Sequence, residues 1–164
     1  MRVIVMLLSF VVCTQVWAGE FSKPASKVLL TLSGNIKNTN EDGKAVFDIA
    51  SLEKLGMVSF QTASPWFNGP TTFTGIPLQK LMDYVGAKGS IVKVTALNDY
   101  TTVIPLNDFK KYNVILAVKI NGEYMRIRDK GPFFIVYPYD SMPELNNQMF
   151  YSRSAWQVSR MNIE

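Results

Sequence analysis

The start of the chain has a hydrophobic pattern that the rest of the sequence does not share. Mainly apolar residues fill positions 3–12 behind the positively charged Arg2, and Ala18 ends a Val-Trp-Ala sequence. This run is shorter than the roughly 20 apolar residues that a membrane-spanning helix needs, and a small residue at its end is typical of a signal-peptidase site. Residues 1–18 are therefore predicted to be a cleavable secretory signal, and residues 19–164 to form a single exported domain.

Short segments with alternating apolar residues dominate the remaining chain, and they predict β-strands. Two segments have helical spacing instead, residues 48–55, capped by Asp48, and residues 76–85, and a glycine follows each. The dipeptide Asn121-Gly122 is a strong signal for a tight hairpin. The predicted strands cover residues 27–33, 57–62, 91–97, 101–105, 114–120, 124–128, 133–137 and 156–163, and residues 64–74 and 138–148 are predicted loops. The pattern predicts an α+β fold with mainly antiparallel sheets and short helices.

The composition excludes several kinds of catalytic site. The sequence contains no histidine, and its single cysteine, Cys13, lies inside the predicted signal. The mature protein would therefore have no thiolate nucleophile, no histidine base and none of the usual nitrogen or sulfur ligands of zinc or iron. Carboxylates still allow acid-base catalysis or calcium binding, but no recognisable spacing points to either. The 17 basic and 13 acidic residues give a net charge of +4 and are scattered, which does not favour nucleic-acid binding.

Three predicted loop segments combine aromatic rings with small hydrogen-bonding side chains, at residues 62–68, 98–100 and 137–141. Aromatic faces stack on flat heterocycles, and carboxylates or amides bind their polar edges. One Asp can bind two adjacent N–H donors of an aminopyrimidinone through both of its oxygens. The predicted ligand-binding residues are Ser64, Trp66, Phe67, Asp99, Tyr100, Tyr137, Asp140, Arg153 and Trp156.

Within this set, stacking is assigned to Trp66, Phe67 and either Tyr100 or Tyr137. Asp99 or Asp140 is assigned to the heterocycle edge, and the remaining residues are assigned to hydrogen bonds and walls.

Each of these residues also has a purely structural interpretation. Trp66 and Trp156 are large enough to belong to the core. Asp99 and Asp140 are of a residue type that often occupies turns, and Arg153 fits a solvated surface. The recurrence of one composition in three separate loops favours the binding-site interpretation.

Four motifs occur in an order that a known family shares. Residues 73–82 read Phe-Thr-Gly-Ile-Pro-Leu-Gln-Lys-Leu-Met, and Ala-Leu-Asn-Asp-Tyr follows at residues 96–100. Gly-Pro-Phe-Phe-Ile-Val-Tyr-Pro stands at residues 131–138 and Ser-Arg-Met-Asn-Ile at residues 159–163. The first motif resembles the W-x-G-x-P-L-x-x-L-L segment of the sulfite-oxidase-fold, molybdopterin-binding oxidoreductases. The resemblance extends over roughly residues 30–164 and implies a sulfite-oxidase-like fold.

The sequence departs from the active members of that family at the metal ligand. The resemblance implies a molybdenum-binding cysteine about ten residues before the W-x-G motif, and that place falls on Thr62 or Ala63, which supply no thiolate. Where the enzymes tend to have basic and aromatic residues near the carboxyl end, this chain has Trp156-Gln157. The expectation is a site without molybdenum that keeps its pterin half.

An exported, cysteine-free single domain of this fold resembles the periplasmic pterin-binding regulators of the PruR type. That resemblance implies a non-catalytic periplasmic protein that binds a free reduced pterin such as neopterin or monapterin. It also implies docking on the periplasmic domain of an inner-membrane diguanylate cyclase or phosphodiesterase, and thus regulation of cyclic di-GMP and biofilm formation. Two alternatives stay open: a molybdopterin-dependent oxidoreductase without the cysteine ligand, and a protein-protein interaction module that holds no small molecule.

Overall fold

A computed structural model of the protein describes residues 21–164. The signal predicted at residues 1–18 lies outside the described residues. The strands are β1 (Leu30–Gly34), β2 (Ala45–Phe47), β3 (Val58–Thr62), β4 (Thr71–Pro77), β5 (Ile91–Ala96), β6 (Thr101–Pro105), β7 (Ile115–Ile120), β8 (Glu123–Tyr124), β9 (Phe134–Val136) and β10 (Val158–Ile163). The helices are α1 (Ile49–Glu53), α2 (Leu78–Val85), α3 (Leu106–Lys111) and α4 (Gln148–Arg153), and 3-10 helices lie at Ile127–Asp129, Tyr139–Ser141 and Pro143–Leu145. Of the helices formed by residues 21–164, none has the length and apolarity needed to cross a bilayer.

The first sheet has five strands in the order β2-β1-β10-β5-β6. β1 and β10 run parallel, with Thr31 opposite Arg160, and the other pairs of this sheet are antiparallel. Alternate residues of β5, such as Val92 and Val94, are fully buried, as expected of strands with one face on the core. The last strand of the described chain therefore lies in the centre of this sheet.

The second sheet has the strand order β3-β4-β7-β8, and β9 also pairs with β7. All its pairs are antiparallel. The hairpin between β7 and β8 turns at Asn121 and Gly122, which have φ values of 50° and 86°, and this confirms the predicted turn. The two sheets and the short helices confirm the predicted α+β fold with mainly antiparallel sheets.

Strands β4 and β7 approach each other closely at Gly75. The pairing register shifts between Thr74 and Gly75. A Cβ atom on Gly75 would lie 2.1 Å from the carbonyl oxygen of Leu116 and 2.5 Å from the Cα atom of Ala117. Only a residue without a side chain fits between these backbones. The glycine of the Phe-Thr-Gly-Ile-Pro-Leu motif thus has a packing role.

The structure corrects several predicted boundaries. The helix predicted at residues 76–85 begins at Leu78, because Ile76 and Pro77 complete β4. The predicted loop at residues 64–74 contains the start of β4. The strand predicted at residues 124–128 is extended only at Tyr124, and a 3-10 helix begins at Ile127.

Three elements were not predicted from the pattern. β2 has three residues, all buried, and α3 and α4 have six residues each, which is too short for a clear helical period. Residues 156–157 precede β10 instead of belonging to it.

Asp48 caps helix α1 and is almost fully buried. Its carboxylate accepts hydrogen bonds from the backbone N–H of Ser51 at 2.8 Å and from the backbone N–H and hydroxyl of Ser26 at 3.0 and 2.8 Å. The hydroxyl and N–H of Ser51, together with Ser26, hold the pKa of Asp48 well below its ordinary value, against the opposing effect of burial. The ionised carboxylate therefore stabilises the folded state.

We expect Asp48→Asn to lower the free energy of unfolding at pH 7 by about 1–2 kcal/mol, because an amide cannot accept from both Ser51 and Ser26. A carboxylate whose folded pKa is depressed contributes stability above its unfolded pKa and loses it as the pH falls towards the folded pKa. The difference between wild type and variant should therefore shrink below about pH 4. Urea titrations from pH 7 to pH 3 measure it, with the exposed Glu123→Gln as control. A difference that stays constant with pH would contradict the assignment.

Candidate functional site

A cleft of about 460 Å³ opens where the loop after β3, the turn between β5 and β6, and helix α4 meet. This volume lies within the range of sites for small organic molecules. Its lining residues are Pro65, Trp66, Asn98, Tyr100, Gln148, Tyr151, Ser152, Ser154, Ala155 and Trp156. Four of them are aromatic, and none of these lining side chains carries a formal charge. The cleft therefore suits a flat, uncharged ligand with hydrogen-bonding edges.

Trp66 is held in place by a cluster of other aromatic rings. Its ring centroid lies 5.3 Å from that of Phe134, 5.8 Å from that of Tyr151 and 5.8 Å from that of Trp156, with interplanar angles of 70–80°. These edge-to-face arrangements are favoured by the charge distribution of aromatic rings. Trp66 is partly buried, so it serves both the core and the cleft wall.

Tyr100 is presented to the cleft by a tight turn. The side-chain oxygen of Asn98 accepts a hydrogen bond from the N–H of Tyr100 at 3.2 Å, and Asp99 between them has φ 62°. The Tyr100 hydroxyl donates to the carbonyl of Ser152 across the cleft at 3.0 Å. The side chain remains 47% exposed, so its ring is accessible to a ligand.

Trp156 forms the third aromatic wall. Its backbone makes an isolated β-bridge with Phe134, which fixes its position next to the second sheet. The ammonium group of Lys130 lies 4.2 Å from the centroid of the Trp156 ring, a distance at which a cation is attracted to the ring face.

The polar groups of the cleft are amides and hydroxyls. The side chains of Asn98 and Gln148 are both exposed. Ser154 is buried, donates to the carbonyl of Phe150 at 2.9 Å and also hydrogen-bonds the hydroxyl of Tyr139. A ligand edge would therefore meet the two amides before it meets Ser154.

The structure brings together two of the three predicted loops. Trp66, Tyr100 and Trp156 all line the cleft. Phe67 is partly buried and packs edge-on against Phe73 with ring centroids 5.8 Å apart, outside the cleft lining. Tyr137 has no exposed surface, so the prediction that it could stack on a ligand is corrected: its ring faces the core.

The two predicted acidic residues lie outside the cleft lining. Asp99 has an 86% exposed side chain and pairs with Arg160 at 3.1 Å. Asp140 is also exposed, and its carboxylate accepts a hydrogen bond from the backbone N–H of Ala63 at 2.7 Å. Both carboxylates are engaged with protein groups, and their part in ligand binding stays a prediction.

Ser64 and Arg153 also lie outside the cleft lining. The hydroxyl oxygen of Ser64 is buried and has no hydrogen-bond partner among residues 21–164. Arg153 is not the solvated residue that its structural interpretation implied, because its guanidinium pairs with the buried Asp108 at 2.8 Å.

Asp108, Tyr137 and Arg153 form a buried network that sequence reasoning missed. The Tyr137 hydroxyl donates to the same Asp108 oxygen at 2.9 Å that Arg153 contacts. Burial, followed by the negative charge of Asp108, raises the pKa of Tyr137 far above its ordinary range, so it stays protonated. The network ties helix α3 to the residue that follows β9 and to the end of α4, and it thereby fixes the helix that forms one side of the cleft.

Helix α4 supplies cleft residues that the sequence reasoning also missed. Asn147 caps this helix by accepting from the N–H of Met149 at 2.9 Å. An Asn before a segment that contains Phe150 and Tyr151 is a recognisable helix start, and this residue could have indicated helix α4 from the sequence. It places Gln148 and Tyr151 at the cleft.

Thr62 is, with Ala63, one of the two residues at the place where the resemblance implies a metal-binding cysteine. Its side chain is fully buried, and its hydroxyl accepts from the backbone N–H of Asp140 at 3.1 Å and donates to the carbonyl of Ala63 at 3.2 Å. Residues 21–164 contain no cysteine and no group of three or more Cys, Asp or Glu side chains placed to hold a metal. The described residues do not fit a thiolate-bound molybdenum.

Comparison with known proteins identifies the family. The model of the oxidoreductase molybdopterin binding domain matches residues 46–139. The crystal structure of the sulfane dehydrogenase SoxCD from Paracoccus pantotrophus superimposes with a TM-score of 0.62 and 18% identity, over 82% of this chain and 37% of that chain. This likeness shows the fold alone, and this chain spans about a third of that protein. No curated protein matches the sequence. Since the family model covers more than half of it, the chain belongs to the oxidoreductase molybdopterin-binding domain family and has its sulfite-oxidase-like fold.

Proposed function

We propose that this protein binds a free reduced pterin, such as neopterin or monapterin, in the aromatic cleft, and acts in the periplasm as a non-catalytic sensor. The observation that carries the proposal is the uncharged cleft walled by Trp66, Tyr100 and Trp156, on a pterin-binding fold whose described residues lack the thiolate ligand. The sensor would regulate an inner-membrane diguanylate cyclase or phosphodiesterase, as the PruR-type resemblance implies.

Stacking is the main source of affinity in this proposal. Tyr100 is half exposed and attached to a turn, while Trp66 is held by edge-on rings. A bicyclic pterin placed against these rings would bury both of its faces without a charge in the lining. A charge-free site favours a neutral pterin over a phosphorylated one, because a buried phosphate needs paired cations.

The heterocycle edge has two sets of candidate partners. The lining amides of Asn98 and Gln148 each combine an acceptor oxygen with N–H donors, which matches the adjacent N–H and C=O groups of a pyrimidinone. Asp99 and Asp140, assigned to the edge from the sequence, are the alternative and would have to leave Arg160 and Ala63.

Tyr100→Ala is expected to weaken neopterin binding by about ten- to a hundredfold, because stacking of a base-like ring on an aromatic side chain is worth about 1–3 kcal/mol. Isothermal titration calorimetry with tetrahydroneopterin under argon measures the dissociation constant. Tyr124→Ala is the matched control, since Tyr124 is equally exposed but does not line the cleft. Equal affinity of Tyr100→Ala and wild type would reject this site.

The same titration identifies the residue that hydrogen-bonds the polar edge of the pterin. The variants are Asn98→Ala, Gln148→Ala, Asp99→Ala and Asp140→Ala. Loss of a good hydrogen-bonding partner leaves a ligand donor buried without an acceptor and should weaken binding by about tenfold or more. If only the two aspartate variants bind weakly, the amide assignment is wrong and the carboxylates move on ligand binding.

A molybdopterin-dependent oxidoreductase without the cysteine is the second candidate, since members of the matched family are typically enzymes. Metal analysis of protein purified from its own periplasm separates the two, because stoichiometric molybdenum favours the enzyme. Extraction and oxidation of the extract, followed by fluorescence, separate both from a protein-interaction module, because reduced pterins become strongly fluorescent once they are oxidised.

A further inference from the structure

A second depression of about 300 Å³ lies beside the first sheet, away from the aromatic walls of the cleft. We call it the basic groove. Its lining residues are Lys27, Val28, Leu29, Thr31, Leu97, Ile127, Pro132, Ser159 and Arg160. Val28, Leu97 and Ile127 are 38%, 49% and 55% exposed. Apolar side chains that are exposed singly are normal on a protein surface, whereas three of them around one depression are characteristic of an interaction surface.

The charges of the basic groove have one sign. Its lining contains Lys27 and Arg160 and no carboxylate. Lys27 pairs with no acidic side chain among residues 21–164. Arg126 and Arg128 flank Ile127 and share the single carboxylate of Asp129. A complementary partner must therefore bring carboxylates together with an apolar side chain.

The one carboxylate that reaches Arg160 is easily replaced. Asp99 and Arg160 are 86% and 60% exposed at their side chains, and ion pairs with this exposure contribute little stability. A partner carboxylate can take the place of Asp99 at small cost. Arg160 is thus available for an intermolecular ion pair.

One turn belongs to both the cleft and the basic groove. Asn98 and Tyr100 line the cleft, whereas Leu97 lines the groove and Asp99 pairs with Arg160. Alternate residues of the same four-residue turn therefore face two different sites. A ligand that orders Tyr100 also restricts Leu97 and Asp99, because the turn is closed by two backbone hydrogen bonds, from the N–H of Ala96 to the carbonyl of Tyr100 at 2.9 Å and from the N–H of Asp99 to the carbonyl of Ala96 at 3.1 Å.

We propose that the basic groove docks an acidic segment of a partner protein, in which carboxylates flank an apolar side chain, and that a pterin in the cleft strengthens this docking through residues 97–100. The second clause rests on the proposed function; the first does not. The apolar side chain would lie among Val28, Leu97 and Ile127, and the carboxylates would pair with Lys27 and Arg160.

Site-specific photocrosslinking in the producing cells tests the docking. A benzophenone amino acid at Ile127 should crosslink to one protein, and mass spectrometry should place the link in a peptide that carries at least two acidic residues. Lys27→Glu/Arg160→Glu should lower the crosslink yield about tenfold, since two attractions become repulsions. Lys54→Glu/Lys110→Glu changes the net charge equally at exposed positions outside the groove and should leave the yield unchanged.

The docking proposal is wrong if Lys27→Glu/Arg160→Glu, which we call the groove reversal, leaves the crosslink yield unchanged. It is also wrong if Ile127 crosslinks to a second copy of this chain, to lipid, to a peptide without carboxylates, or to no protein at all. The coupling between pterin binding and docking is measured with a synthetic copy of the crosslinked peptide. The affinity of the wild-type protein for this peptide should rise about fivefold when tetrahydroneopterin saturates the cleft. The affinity of Tyr100→Ala for the peptide should not change when tetrahydroneopterin is added. A peptide affinity that ignores the pterin overturns the second clause.

The two proposals fail in different ways. If wild type binds neopterin but crosslinking ignores the charge reversal, the groove inference is wrong and the cleft assignment stands. If wild type binds no pterin but crosslinking depends on charge, the pterin function is wrong and the docking surface stands. The groove reversal should itself leave neopterin affinity within about twofold of wild type, because neither residue lines the cleft.

Discussion

Gly75→Ala should abolish stable folding. The added methyl group would lie 2.1 Å from the carbonyl oxygen of Leu116 and 2.5 Å from the Cα atom of Ala117. Both are backbone atoms of β7, in the middle of the second sheet, and neither can rotate away as a flexible side chain would. We expect a loss of about 4 kcal/mol or more, which is a large part of the total stability of an ordinary domain.

Urea denaturation followed by tryptophan fluorescence measures this effect, and Gly69→Ala supplies the matched control. Gly69 has φ +77° but open space around its position, so the same change there tests conformational freedom without a clash. The control should lose about 1 kcal/mol. A Gly75→Ala protein as stable as the control would contradict the close approach of β4 and β7.

Arg153→Met should destabilise the protein by about 3–5 kcal/mol, because it leaves the buried carboxylate of Asp108 without a cation. Asp108 is 7% exposed and would retain only the hydroxyl of Tyr137. Since the pair also anchors the end of α4, the variant should bind neopterin more weakly.

A double variant distinguishes the loss of the ion pair from the loss of packing. Asp108→Asn/Arg153→Met has no uncompensated charge, and its amide oxygen can still accept from Tyr137. Thermal and urea unfolding should show the double variant to be more stable than Arg153→Met alone. If the double variant is the less stable of the two, the destabilisation does not come from an unpaired carboxylate.

The parts of the fold that local signals determine could be predicted from the sequence. The Asn121-Gly122 hairpin is confirmed because positive φ values there are a local requirement of the turn. Helix α2 has its apolar residues on one face, and it ends where predicted, at Gly86 with φ 62°. Strand β4 was partly missed, because its first residues follow Pro70 and have a loop-like composition, and only pairing with β3 and β7 makes them a strand.

The candidate site was predictable in its aromatic walls but not in its polar groups. Trp66 and Tyr100 stood out because aromatic residues next to turn residues are unusual in loops, and Trp156, at the start of the last predicted strand, was assigned to hydrogen bonds or walls. The positions of the two carboxylates could not be predicted from the sequence, because the direction of a turn side chain depends on tertiary contacts. Asp99 pairs with Arg160, and Asp140 accepts a hydrogen bond from the N–H of Ala63. Asp108 and Arg153 are 45 residues apart in sequence, and no local pattern links them.

The central position of β10 has a consequence for how the protein is made. Strands β1 and β5 are each paired with β10, so the first sheet cannot close until residues 158–163 have left the ribosome. A nascent chain short of that point keeps its central apolar positions unpaired and has only the second sheet to complete. Removal of residues 158–163 would therefore take away the strand that joins β1 to β5, and it would be far more damaging than trimming at an ordinary, frayed carboxyl end.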